Sequence, residues 1–107
     1  TPRSMVEYRV ERQLYWLWLG AGGDPVSMAG RNVTVAGVSR VGPVYTPPER
    51  RGRGYAAAVT AACTQHALAT DADRAILFTD VANPTSNGIY QRLGYRPIAD
   101  RVVLRLG

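Results

Sequence analysis

The chain has no lysine: its formal net charge of +5 comes from thirteen arginines set against eight acidic residues. All of its side-chain cations apart from the lone His66 are therefore guanidinium groups, planar and forked, which suit an anionic ligand such as a phosphate. Cysteine is almost absent. Cys63 stands alone, so no intramolecular disulfide can form, and a reducing, cytoplasmic compartment is expected. No apolar run approaches the ~18 residues of a membrane span, and the N-terminus does not read as a signal peptide, so no membrane partner is expected. Outside positions 50–53 the arginines are scattered, without a basic run or interleaved aromatics, which argues against nucleic acid. With 107 residues there is room for one domain and a single modest core, and 46% hydrophobic against 20% charged residues excludes a disordered chain. The first residue is Thr1 rather than Met, and the expectation is a piece of a longer chain.

What is present is organised around the stretch from Val41 to Ala69. It reads as a short strand (Val41 to Thr46), a Pro-Pro break, a loop carrying Arg50, Arg51, Gly52, Arg53 and Gly54, and then an alanine-rich helix. A helix that begins inside Gly-rich sequence leaves its first N–H groups unpaired, with the positive end of the helix dipole behind them. Glycines keep side chains out of the way, so the loop is a candidate anion cradle. Pro43 cannot donate to a sheet ladder, and a bulge or splay is expected there.

Upstream, Thr1 to Arg12 alternates weakly as a half-exposed strand. Leu14 to Leu19 is apolar at almost every position and reads as a strand buried on both sides. Its tryptophans, Trp16 and Trp18, share a face with Leu14 and are read as core. Gly20 to Pro25 is a turn, Val26 to Arg31 the returning strand of a hairpin, and Asn32 to Ser39 a loop or strand end. Downstream, the helix from Gly54 to about Ala69 presents Ala57, Ala58, Ala61 and Ala62 as its packing face. Ala75 to Thr79 is a short buried strand, and strand, helix, strand implies a parallel crossover. Asn83 caps a second helix with Pro84 in its first turn and Gly94 as terminator. Asn83, Ser86, Asn87 and Tyr90 fall on one face of it, while Ile89 and Leu93 form an apolar pair turned toward the core. Tyr95 to Ile98 and Arg101 to Leu106 close the chain as strands.

These residues resemble a known family. Arg51-Gly52-Arg53-Gly54-Tyr55-Ala56 fits the R/Q-x-x-G-x-G/A acyl-CoA signature of the GNAT superfamily of N-acetyltransferases, and it stands between a strand and a helix as that signature does. The segment from Asn83 to Tyr95 looks like the superfamily's later motif: an Asn-started helix bearing a tyrosine and ending in Gly plus an aromatic. The resemblance implies an α/β domain of the acyl-CoA N-acyltransferase fold, with a mostly antiparallel mixed sheet and helices on its faces. Full domains of this type begin with a strand and two helices that help form the acceptor pocket. Few residues precede Leu14 here, so the N-terminal elements are expected to be missing from the domain or supplied by another chain, including a homodimer partner.

The resemblance further implies a site. Main-chain groups of Val44, Tyr45 and Thr46 would pair with the pantetheine arm. Amides of Arg51, Gly52, Arg53, Gly54, Tyr55 and Ala56 would bind the pyrophosphate. Asn83 and Ser86 would hydrogen-bond the co-substrate, acetyl-CoA, and Tyr90 would stand by its sulfur as general acid, with no metal involved. The chemistry suits these groups. An amine attacks the thioester carbonyl, the oxyanion needs an N–H such as a free amide near Val44, and a departing thiolate can take a proton from a phenol. A general base is not evident. Glu49 and Asp80 are the nearest carboxylates to the motifs, His66 reads as a surface or interface residue, and Cys63 as core. Two other readings compete. One is a non-catalytic CoA-binding or regulatory domain. The other is a dinucleotide-binding βαβ unit, because Gly52-x-Gly54-x-x-Ala57 also fits G-x-G-x-x-G/A.

Overall fold

The computed structural model describes residues 4–10, 13–79 and 83–107, with 4–8 described by their backbone alone. Seven strands lie in one sheet: β1 (Ser4–Val10), β2 (Gln13–Leu19), β3 (Pro25–Asn32), β4 (Val38–Tyr45), β5 (Arg74–Phe78), β6 (Arg96–Ala99) and β7 (Val102–Leu106). Their order is β1-β2-β3-β4-β5-β7-β6. Among the described residues only β4 and β5 run parallel, and they are joined by helix α1 (Tyr55–Thr70), so the crossover expected from the sequence is present. Every other neighbouring pair is antiparallel, which gives the mixed, mostly antiparallel α/β sheet expected. A dinucleotide-binding unit needs a doubly wound parallel sheet, and this order excludes it. Helix α2 (Pro84–Arg92) follows β5.

The hairpin β2–β3 turns through Gly20 to Asp24, where the Gly20 amide donates to the Asp24 carbonyl at 2.8 Å. In β2, Leu14 and Trp16 are buried while Gln13, Tyr15 and Leu17 are half-buried, so the strand is fully covered on one side only. That side meets α1. The face α1 buries consists of Val59, Thr60, Cys63, Thr64 and Ala67, and Ala57, Ala58, Ala61 and Ala62 are only partly covered. Volume explains the correction: branched and sulfur side chains remove more apolar surface from water than a methyl group does. The alanines flank that ridge. Core continuity comes from Val41, Ala75, Leu77 and Val103 on the strands, with Tyr95 behind them and Tyr90 and Leu93 of α2 packed alongside. The Tyr95 hydroxyl lies 2.7 Å from that of Thr64, and burial pushes its pKa up to about 12. Burial likewise pushes the Cys63 thiol up to about 12, so it is an uncharged core residue, as expected.

Two local features shape the region around the candidate site. Opposite Gly30, β4 carries the extra residues Gly42 and Pro43, and the pairing jumps from Arg31↔Val41 to Ala29↔Val44. Gly30 suits this close approach, because a Cβ would come 3.0 Å from the Tyr15 ring and 3.2 Å from the Gly42 carbonyl oxygen, and both neighbours would have to give way. On its other edge β4 pairs with β5 only as far as Val41↔Leu77, so the two strands part at the bulge. The second feature is the start of α2. Asn83 Oδ1 accepts from the Ser86 amide at 3.1 Å, and Pro84 needs no donor at the first position. Asn83→Ala is expected to remove about 1 kcal/mol of stability, measured by urea denaturation. Gly94, at φ 94°, ends the helix as anticipated.

Candidate functional site

The parting of β4 from β5 leaves an opening in the sheet, and α1 begins beside it. Arg51 bridges the two: its Nε donates to the Thr46 carbonyl at 2.9 Å, fixing the loop to the end of β4. Pro48–Arg50 form a single tight turn closed by the Arg50 amide on Pro47 at 2.9 Å and the Arg51 amide on Pro48 at 3.3 Å. Gly52 and Gly54 then take φ 78° and 80°, the left-handed region open to glycine, and Gly54 caps α1. The first helical bond runs from the Ala58 amide to the Gly54 carbonyl at 3.1 Å. Among the described residues the amides of Gly52, Arg53, Gly54, Tyr55 and Ala56 therefore have no acceptor, and α1 has no acidic residue in its first turn to compete for them. The Arg51 amide is different from the expectation, since Pro48 already occupies it.

Of these residues Gly52, Tyr55 and Ala56 line a cleft of about 370 Å³. One side is the end of β4 (Val44, Tyr45, Thr46), the floor is Arg51, Gly52, Tyr55 and Ala56, and the far wall is Asn83, Ser86 and Tyr90. Ten of the twelve residues expected at the site thus meet around one space. Arg53 and Gly54 are not on its wall. Two carbonyls expected to face a ligand are engaged inside the protein: that of Tyr45 accepts from Ser27 Oγ at 3.2 Å, and that of Thr46 from Arg51. Burial raises the Tyr90 phenol above its ordinary pKa, so it is fully protonated near neutrality and available as a donor.

Sequence reasoning missed two wall residues, Thr85 and Ile89, while Arg50, read as part of the cradle loop, is on the wall too. Ile89 was assigned to the core with Leu93 on helical spacing, but α2 meets the core through Tyr90 and Leu93 and turns Ile89 to the cleft. Arg50 forms an exposed ion pair with Asp24 at 2.9 Å, the kind that contributes little to stability. Asn87, placed by spacing on the same helix face as Asn83, Ser86 and Tyr90, accepts from Thr79 Oγ1 at 2.8 Å and ties α2 to the end of β5.

A second cavity of about 400 Å³ lies across the opening, lined by Gln13, Asn32, Arg40, Pro43 and Phe78 among others. Val44 and Tyr90 line both spaces. Of the carboxylates considered as a base, Glu49 is exposed and lines neither cavity. Asp80 lies outside the described residues. His66 is half-buried rather than on the surface, with its ring 4.9 Å from Trp16 and Nδ1 3.1 Å from Arg31 Nη2. Among the described residues no helix is long and apolar enough to cross a membrane, and no group of three His, Cys, Asp or Glu could hold a metal ion.

A mixed sheet that opens at the parallel pair β4–β5, with a glycine loop and helix start at the opening, is the architecture of the GNAT acyl-CoA N-acyltransferases. Three solved structures share it. A Klebsiella pneumoniae protein assigned as an acyl-CoA N-acyltransferase superimposes with TM-score 0.78 at 18% identity, covering 90% of this chain and 73% of its own. A GNAT-family acetyltransferase from Staphylococcus aureus gives 0.72 at 15%, covering 88% and 67%. The Vibrio cholerae spermidine N-acetyltransferase, solved with CoA and spermine, gives 0.75 at 13%, covering 90% and 66%. The chain thus spans about two thirds to three quarters of the length of these neighbours. At the level of sequence, no curated protein matches significantly. The chain belongs to the FR47-like protein family, which matches it over residues 19–104.

Proposed function

We propose that the chain transfers an acetyl group from acetyl-CoA to a primary amine by direct attack, with Tyr90 as general acid. The observation that carries this reading is the set of unpaired amides at Gly52, Tyr55 and Ala56, in one cleft with Tyr90. A diphosphate laid on those amides meets the helix dipole and the Arg51 guanidinium, and a thioester arm running along β4 reaches the opening beside Tyr90. Asn83 and Ser86 line the route. Attack by the amine nitrogen forms a C–N bond and places negative charge on the carbonyl oxygen, where an open β4 amide near Val44 donates. Collapse breaks the C–S bond, and the thiolate takes the Tyr90 proton. The proton lost by the amine returns to the phenolate through water. The cytoplasm, where acyl-CoA is made and thiols stay reduced, is the compartment that fits.

Thermal unfolding in the presence of acetyl-CoA, CoA and NAD tests this. Either thioester or free CoA at about a hundredfold excess over its Kd should add roughly 2.7 kcal/mol and raise Tm by about 10 °C or more. Stabilisation by NAD alone overturns the assignment. Stabilisation by CoA with no thiol released in the presence of any amine tested would favour the non-catalytic CoA-binding reading.

A further inference from the structure

The second cavity states what kind of amine it takes. We propose that the acceptor is a small primary amine that also carries an anionic group, a carboxylate or a phosphate, held by Arg40; this rests on the acyl-transfer reading above. The cavity is of small-molecule size, about 400 Å³, and Tyr90 and Val44 form the wall it shares with the acyl-CoA cleft, so an amine held here faces the reacting carbonyl. Arg40 and Phe78 stand on the sheet face turned away from α1, since their neighbours Val41 and Leu77 belong to the core that α1 covers. The Arg40 guanidinium carbon sits 4.5 Å from the Phe78 ring centroid. Stacking of that kind fixes the guanidinium plane and leaves its N–H edges free to take a planar anion.

Charge decides the class. Arg40 is the one ionised side chain among the described residues lining this cavity, and it makes no ion pair among them. No described aspartate or glutamate lines the cavity to hold a second ammonium. A polyamine would bring two or more cations against a fixed cation, whereas an amine with a carboxylate pairs its anion with Arg40 and leaves its nitrogen free. The rest of the wall supports that pose. The Arg40 amide donates to Asn32 Oδ1 at 2.6 Å, which fixes the strand end carrying the guanidinium. Gln13 Oε1, also on this wall, is buried with no hydrogen-bond partner among the described residues and is the acceptor suited to an amine N–H.

The test uses the full chain saturated with acetyl-CoA and matched acceptor pairs: β-alanine against propylamine, phosphoethanolamine against ethanolamine, and spermidine as the polycation. Thiol release gives kcat/KM, and calorimetric titration of each amine into the CoA-bound protein gives binding independently of turnover. An anion-bearing amine should exceed its uncharged-tail partner by at least about 30-fold in kcat/KM, mostly through KM, and spermidine should be the poorest acceptor. The two pairs tell a carboxylate from a phosphate. Arg40→Gln should abolish the preference without weakening CoA binding, and Arg40→Lys should restore part of it. Equal or better use of the uncharged-tail amines, or a preference that survives Arg40→Gln, overturns the proposal. So does the absence of binding by either anion-bearing amine, whether or not transfer occurs. If no amine at all supports thiol release while β-alanine still binds through Arg40, the acyl-transfer reading falls and the anion site stands.

Discussion

Tyr90→Phe is expected to lower kcat by about 100-fold or more while changing CoA affinity little, because a positioned proton donor contributes roughly 10² to 10⁴ in rate. The phenylalanine keeps the ring that packs edge-on to Tyr95 at 6.3 Å between centroids and removes only the hydroxyl. Thermal stability should therefore stay near that of the parent, which separates a chemical role from a packing one. The pH profile gives a second check. Burial holds the phenol's pKa above 10, so its proton is present throughout the neutral range and is lost only in strong alkali. An alkaline limb above pH 10 that belongs to Tyr90 should vanish from the residual rate of Tyr90→Phe. A variant with unchanged kcat would leave the departing thiolate to solvent and end the general-acid assignment.

Arg31→Ala is expected to remove about 2–4 kcal/mol of folding stability, through the cavity left by a large buried side chain and the hydrogen bonds lost with it. Arg31 is 1% exposed, a charge inside the core between β3 and α1. Its Nη1 donates to Ser39 Oγ at 3.1 Å and Thr34 Oγ1 at 3.3 Å and lies 3.8 Å from Asp71 Oδ1. Its Nη2 lies 3.1 Å from His66 Nδ1; a guanidinium has only donors, so that ring nitrogen is the acceptor. The guanidinium also lies over the Trp16 ring at 5.9 Å. Truncation leaves a cavity and removes the donor to His66 Nδ1, whereas Ser39 and Thr34 keep second partners in the Asn32 carbonyl and Asp71. Arg31→Met, which fills the volume, should therefore lose less than half as much. Urea denaturation of the three proteins measures both differences, and an Arg31→Ala loss below about 1 kcal/mol would mean the network is not holding β3 to α1.

The contrast between those two residues shows what the sequence made legible. Tyr90 was readable because its chemistry is local: an Asn cap, a proline and a terminal glycine set the phase of α2, and the phase puts Asn83, Ser86 and Tyr90 on one side. The glycine loop was readable for the same reason, as was the break at Pro43. Arg31 was not. A single arginine at the end of a strand pattern looks like a solvated residue, and its burial depends on Ser39, His66 and Asp71, contributed from far along the chain. The same limit explains Ala57 and Ala58. Alanines mark a helix, but which stripe turns inward is settled by the bulk of Val59 and Cys63 against the sheet. Ile89 failed on the opposite side, because the opening in the sheet gives α2 a cleft to face where a spacing argument supplies only core.

The partition formed by Val44 and Tyr90 has a further consequence. Since no other described residue is common to the two spaces, room can be moved between the two cavities only across those two side chains. In the proposed site a bulkier acyl group and a bulkier amine therefore draw on the same reserve of volume, and a smaller side chain at Val44 opens both spaces at once. Preference for acyl length and preference for acceptor size would drift together in variants of this position, as two readings of a single dimension.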